Sequence, residues 1–339
     1  MITLILPVRN EARYIRQCLD AIMGQDYPAE QMEILVADGM SSDETRSVVQ
    51  QYQGTYPQIH LVVNPGKIVP TGMNIALRQA KGDVIIRVDG HCIIASDYVR
   101  KCVEYLQDET IAGVGGPMET IGENAISRTI AVAMSSPFGV GNSTFRTVTR
   151  KSMFVDTVPF PAFRRETIDR VGMYDEELVR NQDDEYSYRV REMGGKLLLA
   201  ADVRSRYFSR GSLQSLWKQY FQYGFYKVRV LQKHPRQMSV RQFVPPVFVL
   251  SLLLAILLTV ILPWGWILLF VIAGSYLATN LAASLITAAK KDWEHLWLLP
   301  VTFAILHLSY GLGFLCGLVK FWNRWGDKIG KVPEWIKNE

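Results

Sequence analysis

Residues 33–52 read E-I-L-V-A-D-G-M-S-S-D-E-T-R-S-V-V-Q-Q-Y, an apolar run, a polar turn with two aspartates and an amphipathic stretch. Glu33 to Ala37 predicts a strand. Asp43 to Tyr52 predicts a helix begun by Ser-Ser-Asp, whose short side chains accept bonds from the first helical N–H groups. The alternation continues on both sides. Ile2 to Pro7 reads as a strand and Ala12 to Met23 as a helix, and His60 to Val63, Gly72 to Gln79 and Val84 to Val88 read as strand, helix and strand. Parallel strands need crossover connections, so this order predicts an α/β fold, a mostly parallel sheet flanked by helices.

Ligands of such sheets bind at the carboxyl ends of the strands. Arg9, Asn10 and Glu11 follow the first strand, Asp38, Gly39 and Ser41 the second, and Asp89, Gly90 and His91 the fourth. Three strand ends therefore aim acidic and amide groups at one crevice. Farther on, Ala112 to Phe163 is rich in Gly, Pro and Ser, which predicts irregular strands and a mobile loop over the site. A helix is expected over Asn181 to Met193, stopped by Gly194-Gly195, then a strand over Leu197 to Ala200 and an aromatic, basic helix over Ser212 to Lys233.

The apolar share, 49% of 339 residues, is unevenly placed. Phe243 to Leu262, Gly265 to Ile286 and Leu296 to Val319 are uncharged or nearly so, and each approaches the roughly twenty residues that cross a bilayer. Trp264, Trp266, Trp293, Trp297, Trp322 and Trp325 flank them as interfacial anchors do. The expected organisation is a catalytic domain over 1–210, an amphipathic interfacial region over 211–242, membrane segments over 243–322 and a basic tail over 323–339. No basic leader or cleavage site opens the chain, so the first domain is expected to be cytoplasmic, with the protein a multi-pass inner-membrane one.

The net charge is +5, yet nine cations and no acid lie between Val203 and Arg241. A nucleic-acid surface is one reading of this stretch, but apolar segments follow at once, so anionic lipid headgroups suit it better and no nucleic-acid partner is expected. Lys290 and Lys291 would return to the same face after two passes. A third full crossing would put Lys320, Arg324, Lys328, Lys331 and Lys337 on the other face, which predicts that the last segment, interrupted by Pro300, His307, Gly311 and Gly313, is re-entrant. Cys18, Cys92, Cys102 and Cys316 form no CxxC pair, which excludes a zinc knuckle or disulfide framework and leaves buried thiols.

Four groups carry chemistry. Asp38 at a strand end can accept bonds from a nucleobase edge, whereas a helix cap is the other reading and suits Asp43. Asp89-Gly90-His91 offers a carboxylate and an imidazole on a tight turn, able to ligate a divalent cation between phosphates, and Gly90 allows close backbone approach. The acids of N181-Q-D-D-E185 open a helix; dipole complementarity explains them, but adjacent acids repel, and one is expected to serve as a general base. Asp183 is the first choice, with Asp184 and Glu185 as alternates. Trp217, Tyr220, Phe221 and Phe225, with Arg210, Lys218 and Lys227, fit a membrane-surface helix that could bring a lipid-linked acceptor to the site.

Together these residues resemble the inverting family 2 glycosyltransferases of GT-A fold. P7-V-R-N-E11 looks like the family's first strand and turn, A37-D-G-M-S-S-D-E-T45 its nucleotide-binding Asp motif, Asp89-Gly90-His91 its D-x-D and Gln182-Asp183 its Glu-Asp. His91 departs from the second Asp of the family form. The R-Q-x-R-W of processive members is replaced by the Lys218-Gln219-Tyr220-Phe221 region, and the likeness, from about Met1 to Pro246, is to the succinoglycan-type exopolysaccharide branch. That resemblance implies a hexose moved from a UDP-linked nucleotide sugar to a polyprenyl-diphosphate-linked saccharide. It implies donor contacts at Pro7, Arg9, Asn10, Glu11, Asp38, Gly39, Asp89 and Gly90, and Mg2+ or Mn2+ on Asp89 and His91. Asp183 takes the base role, and Arg210, Lys218, Gln219 and Lys227 meet the acceptor or diphosphate. The alternatives are a polyprenyl-phosphate monosaccharide synthase and, from another class, a non-catalytic membrane scaffold or transporter.

Overall fold

The computed structural model describes residues 1–141, 143–147 and 150–327. Along the chain run β1 (Ile2–Val8), α1 (Ile15–Met23), β2 (Met32–Asp38), α2 (Thr45–Thr55), β3 (Ile59–Val63), α3 (Val69–Gln79), β4 (Val84–Arg87), β5 (Cys92–Ile94), α4 (Tyr98–Tyr105), β6 (Ile111–Gly115) and β7 (Met118–Ile121). There follow α5 (Ala125–Met134), the short α6 (Pro137–Val140) and α7 (Thr144–Thr147), β8 (Met153–Val155), β9 (Ala162–Arg164), α8 (Arg165–Val171), α9 (Gln182–Glu192), β10 (Lys196–Leu199) and β11 (Ser205–Phe208). The chain continues with α10 (Leu213–Lys233), α11 (Val244–Ile261), α12 (Gly265–Lys290) and α13 (Leu299–Lys320). Met1–Glu119 and Thr144–Tyr207 form one compact unit, and Thr120–Ser143 with residues 208–327 form a second.

The first unit is built on an eight-stranded sheet of order β3-β2-β1-β4-β9-β6-β10-β8. The strands from β3 to β4 are all parallel, as the alternation predicts. Beyond β4 the sheet is mixed, because β9 pairs antiparallel with both β4 and β6. Every residue of β1 and β2 is buried, so both faces are covered. Leu4 and Leu6 pack in one core with Ile15, Leu19 and Ile22 of α1, while Ile5 and Leu35 pack in the other with Met73 and Leu77 of α3.

Some boundaries differ from the sequence expectation for local reasons. α1 begins at Ile15 rather than Ala12, because Glu11 O accepts both Tyr14 N–H and Ile15 N–H in a turn first. α3 begins at Val69 rather than Gly72, with Pro70 in its first turn, where a missing N–H costs nothing. Gly194, at φ 81, ends α9 as expected. The stretch 112–163 is more regular than expected. Within it α5 is opened by Asn124, whose side chain accepts Ser127 N–H at 2.8 Å while Ser127 Oγ accepts Asn124 N–H at 2.9 Å.

In the second unit three stretches, Val240–Ile261, Gly265–Lys290 and Leu299–Lys320, are long and apolar enough to cross a membrane, with mean hydropathy 2.7, 1.7 and 1.7. α13 runs unbroken past His307, Gly311 and Gly313, and Pro300 sits in its first turn. Cys18, Cys92 and Cys102 are buried free thiols, but Cys316 is exposed on α13, where an apolar surroundings-facing position needs no burial within the protein. Of the basic tail, residues 328–339 lie outside the described residues.

Candidate active site

The turns after β1 and β2 are stitched to each other. Asn10, at φ 57, accepts Ser42 N–H at 2.9 Å through Oδ1, and its own N–H donates to Ser41 Oγ at 2.9 Å. Glu11 N–H donates to Thr45 Oγ1 at 2.7 Å and Ala12 N–H to Asp43 Oδ2 at 3.1 Å. Asp43 also accepts from the Thr45 N–H at 3.0 Å and hydroxyl at 2.6 Å. Asp43 is thus a buckle between two loops rather than the side-chain cap of α2, whose N-cap residue is Glu44. Burial alone raises its pKa, but the hydrogen bonds from Thr45 and Ala12 outweigh this and hold it below the usual carboxylate range.

Asp38 ends β2 fully buried, and both its carboxylate oxygens face Ser41 N–H, at 3.2 and 3.3 Å. Gly39 N–H donates to Val8 O at 2.8 Å, which ties the β2 turn to the end of β1. Val8 is paired with Asp38, and on the other side of β1 Ile5 is paired with Arg87. Asp89, two residues past Arg87, therefore comes level with Pro7. Asp38 thus ends β2 and Asp89 follows β4, strands that flank β1 and stand two strand spacings, or about 10 Å, apart.

Asp89 is held from its own strand. Arg87 Nε donates to Asp89 Oδ1 at 2.9 Å, with the two side chains 8% and 22% exposed. Burial raises the Asp89 pKa, but the charges of Arg87, His91 and Arg180 and the Arg87 hydrogen bond outweigh it and keep the group a carboxylate. His91 Nδ1 lies 2.8 Å from Glu11 Oε1, and its ring meets Tyr207 edge-on at 4.8 Å. A Cβ on Gly90 would stand 2.8 Å from Val8 Cγ1 and 3.2 Å from Glu11 Cγ, so a bare backbone is what lets this turn close on β1.

Asp183 lies exposed in the first turn of α9, its Oδ1 accepting Asp184 N–H at 2.9 Å. The buried Arg87 senses it: burial lowers the Arg87 pKa, whereas the charges of Asp89, then Asp183 and Tyr174, drive it higher. Asp89 is bonded to this cation, and Asp183 adds only to the negative field around it. Glu185, an alternate to Asp183, is 2% exposed and bound through both oxygens to Arg189, at 2.7 and 3.1 Å. Arg189 in turn donates to Val171 O and Met173 O, so this pair fastens α9 to the loop after α8. Asp184 is half-buried. Arg87 was not singled out from sequence; the signal was there, since residues two apart on a strand share a face.

Arg210, Lys218, Gln219 and Lys227 belong to the second unit. Lys218 is exposed on α10, while Gln219 and Lys227 are buried, with Gln219 Nε2 donating to Tyr223 Oη at 3.0 Å. Among the described residues no three His, Cys, Asp or Glu side chains are grouped to hold a metal ion. Asp89 Oδ2 and His91 Nε2 remain when Arg87 and Glu11 are accounted for. Two such donors, one of them a histidine oriented by a carboxylate, fit a divalent cation that completes its shell with water and phosphate oxygens.

The parallel half-sheet thus has Asp38 at the end of β2 and Asp89 just past β4, with Asp183 in the first turn of α9. Residues 3–172 match the glycosyl transferase family 2, and the chain belongs to that family; it is a glycosyltransferase, which sets aside the non-catalytic scaffold or transporter. The chain is 28% identical over 328 residues to the dolichyl N-acetyl-alpha-D-glucosaminyl phosphate 3-beta-D-2,3-diacetamido-2,3-dideoxy-beta-D-glucuronosyltransferase of Methanococcus voltae, covering 94% of this chain and 97% of that one. It is 27% identical over 323 residues to the succinoglycan biosynthesis protein ExoA of Rhizobium meliloti (strain 1021), covering 95% and 96%. Among solved structures it is similar to the mannosyltransferase PcManGT of Pyrobaculum calidifontis, solved with GDP-Man and Mn2+ (TM-score 0.57, 20% identity, 94% of this chain and 87% of that one). It is also similar to residues 1–349 of S. aureus TarS (TM-score 0.50, 17% identity, 93% and 90%). The fold is GT-A, followed by three apolar helices.

Proposed function

We propose that this glycosyltransferase moves a hexose from a UDP-linked nucleotide sugar onto a hydroxyl of a polyprenyl-linked saccharide, in exopolysaccharide or other cell-surface glycan synthesis, by one inverting displacement. The observation that carries the reading is the carboxyl edge of the parallel sheet, where Asp38 ends β2 and Asp89, bonded to the buried Arg87 at 2.9 Å, follows β4 on the other side of β1, in a chain of family 2. Pro7, Arg9, Asn10, Glu11, Asp38, Gly39 and Gly90 receive the nucleotide at the strand ends. Asp89 and His91 would hold Mg2+ or Mn2+, which when bound neutralises the diphosphate.

Asp183 takes the proton of the acceptor hydroxyl, and the oxygen so released bonds to the anomeric carbon as that carbon's bond to the diphosphate oxygen breaks. The nucleoside diphosphate departs with the electron pair, and a single in-line attack inverts the centre. The exposure of Asp183 suits a base that must meet an incoming acceptor. Arg210 and the exposed Lys218 are left to meet the acceptor or the diphosphate, whereas the burial of Gln219 and Lys227 withdraws those two from that role. The catalytic unit is cytoplasmic and the protein lies in the cell membrane, a placement supported by Arg236, Arg241, Lys290 and Lys291 flanking the first two apolar helices.

The second reading is a polyprenyl-phosphate monosaccharide synthase, whose acceptor is the lipid phosphate. The name of the Methanococcus relative describes a sugar acceptor already on its lipid, which favours the first reading. Membranes holding the protein, incubated with a panel of radiolabelled nucleotide sugars, decide between them. Label in a lipid-linked disaccharide or longer glycan is expected. Label in a lipid phosphate monosaccharide favours the second reading, and no lipid label from any donor contradicts both.

A further inference from the structure

α10 and α13 run parallel and in register within the second unit. A Cβ on Gly313 would stand 2.0 Å from Phe221 O, one on Gly317 2.6 Å from Phe225 O, and one on Gly224 2.0 Å from Tyr310 O. Both helices thus advance four residues at a time along one contact, backbone against backbone, the small-residue packing that lets helices approach closely. At the far end the fully buried Arg229 donates to Arg324 O at 3.1 Å and Asp327 O at 3.0 Å, and Gln232 Nε2 to Phe321 O at 2.7 Å. Whatever depth α13 occupies, α10 occupies with it.

α10 is a poor membrane span. It carries Lys218, Lys227, Arg229 and Lys233 with four glutamines, and charges at bilayer depth are costly. The hairpin of α11 and α12 is different, with 17% and 11% of its apolar windows buried within the protein against 44% for α13. The contacts of α13 also keep to the base of that hairpin. Asn280 Nδ2 of α12 donates to Pro300 O at 3.0 Å, Gly311 meets Pro245 and Val249 near the start of α11, and Phe314 packs at 5.9 Å on Phe243, before α11 begins. Between these contacts His307 Nδ1 lies 3.0 Å from Tyr276 Oη, and Tyr276 stacks on Phe248, so along its length α13 stays level with the first turns of α11 instead of running the length of the hairpin.

We infer that α11 and α12 form a hairpin that crosses the bilayer twice, and that α13 lies with α10 along the face from which the hairpin departs, against its anionic headgroups. Lys290 and Lys291 before α13, and Lys320 and Arg324 after it, then stay on the same face as Arg236 and Arg241. This satisfies the rule that basic flanks share one side, which three full crossings break. The inference does not depend on the sugar or the acceptor.

Single reporter cysteines test it in the full-length chain. In a Cys316→Ser background, Arg236→Cys, Trp266→Cys and Trp322→Cys are each treated with a membrane-impermeant maleimide in sealed vesicles of both orientations. Residues 236 and 322 are expected to react from one side and 266 from the other. A cysteine at 322 that reacts with 266 overturns the inference, as do three that react together. A protease-cleavable tag placed after Glu339 reads the same side without altering any helix, and cleavage from the side that reaches 266 contradicts the inference equally.

Discussion

Arg87 Nε lies 2.9 Å from Asp89 Oδ1, so the strand that ends in a site carboxylate also carries its counter-ion two residues earlier. Removing one partner of a buried pair costs about 3–5 kcal/mol, and the 22% exposure of Asp89 puts this one near the lower end. Arg87→Met is expected to lose about 3 kcal/mol of stability in denaturant titration and to transfer sugar at a rate reduced about 100-fold. Arg87→Lys, which keeps the charge but not the Nε bond, is expected to recover much of the stability and less of the rate. Equal stability of Arg87→Met and the parent would remove Arg87 from this role.

Glu11 orients His91 through a 2.8 Å contact at Nδ1. Partners of this kind tune a cation ligand by about 10–100-fold. Glu11→Gln is therefore expected to raise the Mn2+ concentration for half-maximal UDP binding by about tenfold, read by calorimetry. An unchanged Mn2+ dependence means that His91 is not a ligand.

The Asp43 buckle has a pH signature. Its folded-state pKa lies below that of the unfolded chain, so between the two values the unfolded chain binds more protons and stability rises with pH. The contribution is complete above the ordinary carboxylate value of about 3.9 and is lost as the pH falls through the folded value. Melting temperatures followed from pH 6 downward, over roughly the carboxylate range, should fall less steeply for Asp43→Asn than for the parent. Parallel curves would show that the buckle adds no acid-sensitive stability.

Gly313 and Gly224 admit a neighbouring backbone where a Cβ would stand only 2.0 Å away. Gly313→Ala is expected to lower the melting temperature in detergent through an overpacking cost of at least about 1–3 kcal/mol, whereas Gly274→Ala, in open space on α12, should change it little. Equal melting temperatures would mean that α10 and α13 are not packed this closely.

Much of the donor half was legible because its signals are local. Strands β1 to β4 follow from short apolar runs between helical patterns, and the acids that follow them in sequence lie at the sheet's carboxyl edge. α5 was hidden by a cap of Asn124 and Ser127 in a stretch dominated by Gly, Pro and Ser. The roles of Glu185 and Asp43 were hidden too, since three adjacent acids look alike until one is seen bound to Arg189, and a Ser-Ser-Asp run looks like a cap until its bonds are traced to Ala12. Nor do the apolar residues of α13 reveal that α10 lies against them, because Gly224, Gly313 and Gly317 meet only in the folded chain.

In the proposed mechanism Asp183 is the base that takes the proton of a saccharide hydroxyl. Single-turnover transfer by Asp183→Asn, measured alongside its affinity for the donor, tests it most directly. A rate lower by about 100- to 10,000-fold is expected, with donor affinity within about twofold of the parent, since the residue is exposed and acts only on the acceptor. Transfer at close to the parental rate would contradict it.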